Sequence, residues 1–205
     1  MWSLLSLTFI VLQLLGCPRS ALAQHTANSN MGASAREPGI APPILDIKPY
    51  ELRDSFNEVH SGHQHQAIDI MEPEGTPVRA VVDGTIQKLF LSRAGGNTIY
   101  EFDEKGVYCY YYAHLERYAD GLHDGMHVSV GEIIGYVGST GNASPAAPHL
   151  HFAINMLGPQ KHWWEGVPID PYPVLERSVS ITSRSASRSS SSPIYIILEM
   201  LHAAS

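Results

Sequence analysis

The strongest constraint on the fold of this chain is the shortness of its apolar runs. Between Ile44 and Glu176 they are brief, β-branched or aromatic, and cut apart by turn residues. The runs are Pro77 to Val82, Thr85 to Phe90, Asn97 to Phe102, Val107 to His114, Glu132 to Val137, and His149 to Asn155. None is long enough for an ordinary core helix, and the composition suits half-buried strands. Asp83-Gly84 carries the signal of a two-residue hairpin, and Gly95-Gly96, Asp103 to Gly106 and Gly138 to Asn142 mark further turns. Leu115 to Leu122 is the one place where a short helix or turn is expected. The chain is therefore expected to be all-β, an antiparallel β-sandwich or half-open barrel with short helical turns.

The flanks read differently. Residues 1–23 resemble an export signal, with an apolar Leu4 to Leu15 stretch and a small-x-small Ala21-Leu22-Ala23 cleavage pattern. Leu14-Leu15-Gly16-Cys17 offers a second reading, lipidation at Cys17 and a membrane anchor; Pro18 and the downstream Ala-x-Ala favour simple cleavage. An exported location, periplasmic or cell envelope, follows from either. Residues 24–43 read as a linker, 44–176 as the domain, and 177–205 as a Ser/Arg-rich tail without regular structure that ends in a short apolar stretch. With the signal removed, Cys109 is the only cysteine and reads as a small buried hydrophobe. Thirteen Lys+Arg against 20 Asp+Glu, a formal charge of -7, argues against a sequence-independent nucleic-acid binder.

The chemistry concentrates in histidine and one aspartate. With 11 His in 205 residues, a single His-x-His pair is unremarkable, and two occur, His63-Gln64-His65 and His149-Leu150-His151. His149 and His151, two apart on a strand, point to one face, and Phe152 and Ile154 lie on the other. His65 and Asp69 share a face if their segment is extended, and His63 would share it by parity. His114 ends a tyrosine-rich strand whose Tyr110 and Tyr112 share its parity. His123 and His127 form a separate pair in a loop-rich segment. Two imidazoles and one carboxylate suit a zinc ion with one coordination position open, and the remaining histidines suit proton transfer. No His-Glu-x-x-His helix is present to supply a glutamate base.

In order along the chain stand His65-Gln66-Ala67-Ile68-Asp69-Ile70, Gly75-Thr76-Pro77-Val78, Asp83-Gly84, Tyr112-Ala113-His114-Leu115, Gly131 to Gly141, and His149-Leu150-His151-Phe152. Together they resemble the lysostaphin-type, LytM-like zinc endopeptidases, family twenty-three of the metallopeptidases, over about residues 44 to 175. The resemblance implies one zinc ion per domain held by His65, Asp69 and His151, with His114 and His149 as catalytic histidines. It implies hydrolysis of peptide crosslinks in bacterial peptidoglycan by metal-activated water with histidine acid/base assistance. Ala67 departs from the glycine usual there and is expected to narrow the groove, and no built-in inhibitory segment is expected from the short upstream linker. Other readings remain: a non-catalytic module that binds the wall or activates other wall hydrolases, and a structural zinc domain with a closed four-ligand shell. His63 is left a minor role near the groove, and Trp163-Trp164 either line it or cover one end of the core.

Overall fold

A computed structural model describes residues 38–60 and 62–190, without the side chains of 60, 63 and 183–190. The proposed export signal, Cys17 and the apolar stretch near the C-terminus lie outside the described residues. Strands β1 (Val59–His60) and β2 (His63–Gln64) form a small hairpin. Nine strands follow in one antiparallel sheet: β3 (Ile68–Met71), β4 (Pro77–Arg79), β5 (Gly84–Ser92), β6 (Gly96–Asp103), β7 (Tyr108–Tyr118), β8 (His127–Val128), β9 (Ile133–Val137), β10 (His149–Met156) and β11 (Val167–Ile169). The main path runs β11-β10-β7-β6-β5-β8 and does not close. β3 pairs with β10, and β4 and β9 form a second layer that joins through β7. The expectation of an open, all-β antiparallel architecture holds.

β7 makes the two layers one sheet. Its first part, Tyr108–Ala113, pairs with β10, and its end, Leu115–Tyr118, pairs with β9. The change of partner falls at His114, whose backbone adopts φ 60. A left-handed residue breaks the two-residue alternation of a strand. Tyr110, Tyr112 and Leu115 are accordingly all buried, and His114 is turned to the other side with Tyr111 and Ala113. The core lies between the layers: Ile68, Ile70, Val78, Ile86, Ile99, Leu150, Phe152 and Ile154 are all at most 1% exposed.

Several local expectations change. Asp83-Gly84 is not a two-residue hairpin: β4 pairs with β9, whereas β5 pairs with β6 and β8. Val81 and Val82 are thus the crossing between layers, and burial of Val81 in the core outweighs local turn propensity. Leu115 to Leu122 forms no helix, because β7 runs on to Tyr118 before the turn at Asp120 and Gly121. The tail also differs from expectation. Helix α1 (Pro171–Ser190) continues through the Ser/Arg-rich segment, and Val174, Leu175 and Val179 are buried. Asp170 caps the helix by accepting the Tyr172 N–H at 2.9 Å, with Pro171 in the first helical position. Apolar anchors in the first turns outweigh a serine-rich composition that is only mildly unfavourable to helix.

Candidate functional site

The candidate site sits on the open face of β10, where β3, β7 and two loops meet. β10 pairs His151 with Asp69 and with Ala113, so one register sets the late histidine between two neighbouring strands. Along β10, Leu150 and Phe152 are fully buried while His149 and His151 face the cleft. Alternation alone explains that pair.

His65 arrives by another route. It is not on a continuous strand with Asp69, since Gln66 between them has φ 54. The chain turns there, held by hydrogen bonds from the His65 N–H to Glu58 O (2.8 Å) and from the Gln66 N–H to Phe56 O (2.9 Å). Shared strand parity is therefore the wrong reason for a correct juxtaposition, and the competing parity of His63 loses its force. The His63 side chain lies outside the described residues. Ser55 buttresses this segment. Its carbonyl accepts from His65 Nδ1 at 3.1 Å, and its hydroxyl accepts from the Asp69 N–H at 3.4 Å.

Three ligand atoms converge. His65 Nε2 lies 3.0 Å from His151 Nδ1, and Asp69 Oδ1 lies 3.1 Å from each of them. A neutral His65 carries its hydrogen on Nδ1, because Ser55 O can only accept, and Nε2 then turns a lone pair into the triangle. A lone pair, a carboxylate oxygen and an imidazole nitrogen at these separations repel unless a second imidazole proton or a metal cation lies among them. Ligands about 2.0–2.1 Å from a tetrahedral zinc stand roughly 3.3 Å apart, so this donor set fits such an ion with small outward adjustment. His65, Asp69 and His151 are the group that could hold a metal among the described residues.

His149 and His114 border the triangle without joining it. His149 Nε2 is 3.8 Å from Asp69 Oδ1, and the His114 ring centroid lies 4.8 Å from that of His149 and 5.6 Å from that of His151. His149 Nδ1 donates to Ala147 O at 2.9 Å and His114 Nδ1 donates to Thr140 O at 2.8 Å. Both rings therefore keep Nε2 unprotonated when neutral, the tautomer a proton acceptor needs. His123 and His127 are not part of the cluster, and His127 lies on β8 near the far edge of the sheet.

Electrostatics match the geometry. Burial would raise the Asp69 pKa, but hydrogen bonds from His151 and His65 hold the carboxyl well below the usual range. Burial opposes charge on His65, yet the hydrogen bond and field of Asp69 raise its pKa. Burial lowers His151, and it lowers His114 to about 4, so His114 is neutral at pH 7.

The cleft over these groups has a volume of about 480 Å³. Its remaining lining includes Tyr111, Gly95, Asn142 and Ser144, none of which the sequence analysis assigns to the site. Tyr111 was legible in principle as the odd member of a tyrosine run; Gly95 and Asn142 carry turn signals, which do not say that the turns border a cleft. Ala67, expected to narrow the groove, is fully buried and does not reach it.

Comparison with known proteins gives the family. The family model described as Peptidase family M23 matches residues 63–171. Glycyl-glycine endopeptidase ALE-1 of Staphylococcus capitis is 40% identical over 93 residues, 45% of this chain and 25% of that protein. The L-Ala--D-Glu endopeptidase of Bacillus subtilis is 34% identical over 116 residues, 54% of this chain and 34% of that protein. The chain thus spans between a quarter and about a third of the length of these relatives. Among solved structures, lysostaphin from Staphylococcus simulans superposes with a TM-score of 0.54 at 30% identity, over 67% of this chain and 55% of that one. A putative glycyl-glycine endopeptidase lytM from Ruminococcus gnavus gives 0.55 at 27% identity, over 68% and 59%. The family match takes in more than half of the 205 residues, from the hairpin before His65 to the first residue of α1, and on that ground the chain belongs to peptidase family M23.

Proposed function

We propose that this chain is an exported zinc metalloendopeptidase that hydrolyses peptide crosslinks of bacterial peptidoglycan. The observation that carries the reading is the 3.0–3.1 Å triangle of His65 Nε2, Asp69 Oδ1 and His151 Nδ1, flanked by two histidines with unprotonated Nε2 atoms. Membership of a peptidase family supports it. So do the names of its relatives, which are endopeptidases for glycyl-glycine and L-Ala–D-Glu bonds. Because those bonds differ, the proposal names a substrate class and not one bond. Export is proposed from residues 1–23, read as a removable signal, and the catalytic domain from 44–176, extended by Ile40 and Ala41 of the proposed linker and by Val179 of α1, which join its core and hydrogen bonds.

His65, Asp69 and His151 would hold the ion, two neutral donors and one carboxylate leaving a formal +1. A zinc ion held there would supply a Lewis acid for the scissile carbonyl and would make a nearby water more acidic. His149 Nε2, beside Asp69, takes the proton from the attacking water and returns it to the leaving amine. His114, fixed by Thr140 O and neutral at pH 7, offers Nε2 as a second acceptor for that proton and, once it holds it, donates to the polarised carbonyl oxygen. Ser55 keeps His65 in the tautomer that offers Nε2 inward.

Two measurements test the reading. Purified protein is expected to contain one zinc per chain by elemental analysis, lost on Asp69→Ala, and to release soluble fragments from purified peptidoglycan. A zinc-loaded protein that leaves peptidoglycan intact, or that only stimulates another wall hydrolase, overturns it.

A further inference from the structure

Outward from the cleft, the open face of the sheet carries an unbroken run of aromatic rings. His151 meets Tyr111 edge-on with centroids 5.9 Å apart, Tyr111 packs on Tyr100 at 4.8 Å, and Tyr100 on Trp163 at 4.6 Å. Trp163 also tilts over Phe90 at 5.4 Å, and Trp164 stands across it at 5.2 Å. Trp163 covers the sheet. Trp164 does not, since 62% of it is exposed.

An indole kept out of the core forgoes one of the largest burials open to any side chain. This one is nevertheless held in place. The His162 ring lies flat against it, centroids 4.5 Å apart and planes within 11°. Glu165 in turn holds His162 through a 3.2 Å hydrogen bond at Nδ1. His162 thus backs one side of an indole that leaves most of its surface to solvent, and a ring supported in this way loses less freedom when a ligand stacks on it.

We propose that Trp164, backed by His162 and Glu165, is a stacking platform for a hexosamine ring of a glycan strand. The proposal rests on the peptidoglycan reading above and names the part of the polymer bound beside the cleft. A pyranose chair turns several axial C–H bonds to one face, and their partial positive charge matches the negative face of an aromatic ring. Hydroxyl and acetamide groups at the sugar's edge need polar partners, and the exposed Glu165 carboxylate lies at the platform's rim. The platform is also continuous with the cleft. Steps of 4.8, 4.6 and 5.2 Å lead from Tyr111 in the cleft to Trp164.

The test is binding of peptide-free glycan strands, and of an N-acetylglucosamine tetramer, to the full chain, followed by indole fluorescence and calorimetry. Saturable binding is expected, weakened about tenfold by Trp164→Ala and largely recovered in Trp164→Tyr. His162→Ala, which frees the indole but keeps it, is expected to weaken binding as well. Tyr50→Ala, at an aromatic 82% exposed outside this run, is expected to leave it unchanged. Absence of binding by the parent, equal binding by Trp164→Ala, or Trp164-dependent binding of the sugar-free stem peptide in place of the glycan overturns the proposal. Hydrolysis is not read and chelator-washed protein is expected to bind equally, so failure here is distinct from failure of the peptidase reading.

Discussion

His149 and His114 each give a hydrogen to a backbone carbonyl, and that decides which nitrogen remains for chemistry. Because His149 flanks the ligand triangle without belonging to it, His149→Ala is expected to lower kcat by about 10²–10⁴ and leave zinc content at one per chain. Steady-state kinetics beside elemental analysis checks both halves. A second residue matters for stability. Glu101, fully buried on β6, accepts from the Tyr112 hydroxyl and, at 3.4 Å, from the Val81 N–H, and its Oε1 has no hydrogen-bond partner among the described residues. Burial pushes its pKa from 4.5 up to about 7, against the hydrogen bond from Tyr112. A carboxyl raised on folding binds more protons folded than unfolded. Stability therefore falls as pH rises from about 4.5 to about 7, by on the order of 3 kcal/mol. Glu101→Gln is expected to flatten that slope in urea midpoints measured across the window.

At the scale of elements, the loop from Gly138 to Pro148 is pinned to the β5–β6 turn. The Asn97 N–H donates to Thr140 Oγ1 at 3.0 Å, the Asn142 N–H donates to Ala94 O at 2.9 Å, and Thr140 O receives His114. Gly96 makes the approach possible. It has φ +64, and a Cβ there would stand 2.1 Å from Thr140 Oγ1. Gly96→Ala is expected to destabilise the fold by about 1–3 kcal/mol or more and to raise KM by moving the loop; denaturant midpoints and kinetics read the two effects. Element type was legible where alternation was strict, as in β10, whose Leu150, Phe152 and Ile154 are core and whose histidines face out. It was not legible at His114 or Gln66. A single left-handed residue shifts parity there, and ordinary L-residues give no warning of it. Asp83-Gly84 misled for a related reason, since a local turn signal says nothing about which strand the chain joins next.

For the whole molecule, the ligand triangle ties the turn after β2 to β3 and β10, segments 86 residues apart at the extremes. A metal that binds only the folded arrangement stabilises it by mass action, by about 2.7 kcal/mol at a hundredfold excess over Kd. Chelation is therefore expected to lower Tm by several degrees, and restored zinc to return it; calorimetry of the two forms checks this. α1 shows the opposite lesson about scale. Its serine-rich composition argues for no structure, yet Val174, Leu175 and Val179 find the core and Ser178 Oγ reaches Ile40 O at 2.6 Å.

By itself the sequence determined the all-β class and the strand carrying His149 and His151, because period-two burial is a local property of the chain; the five residues on which the chemistry is proposed were singled out by the family their motifs resemble. Tertiary structure decided how His65 meets Asp69, why His114 leaves the face of Tyr110 and Tyr112, and that Trp164 stands outward. Those outcomes depend on left-handed turns and on packing between segments distant in the chain. No run of neighbouring residues encodes such contacts, and only the folded sheet brings them together.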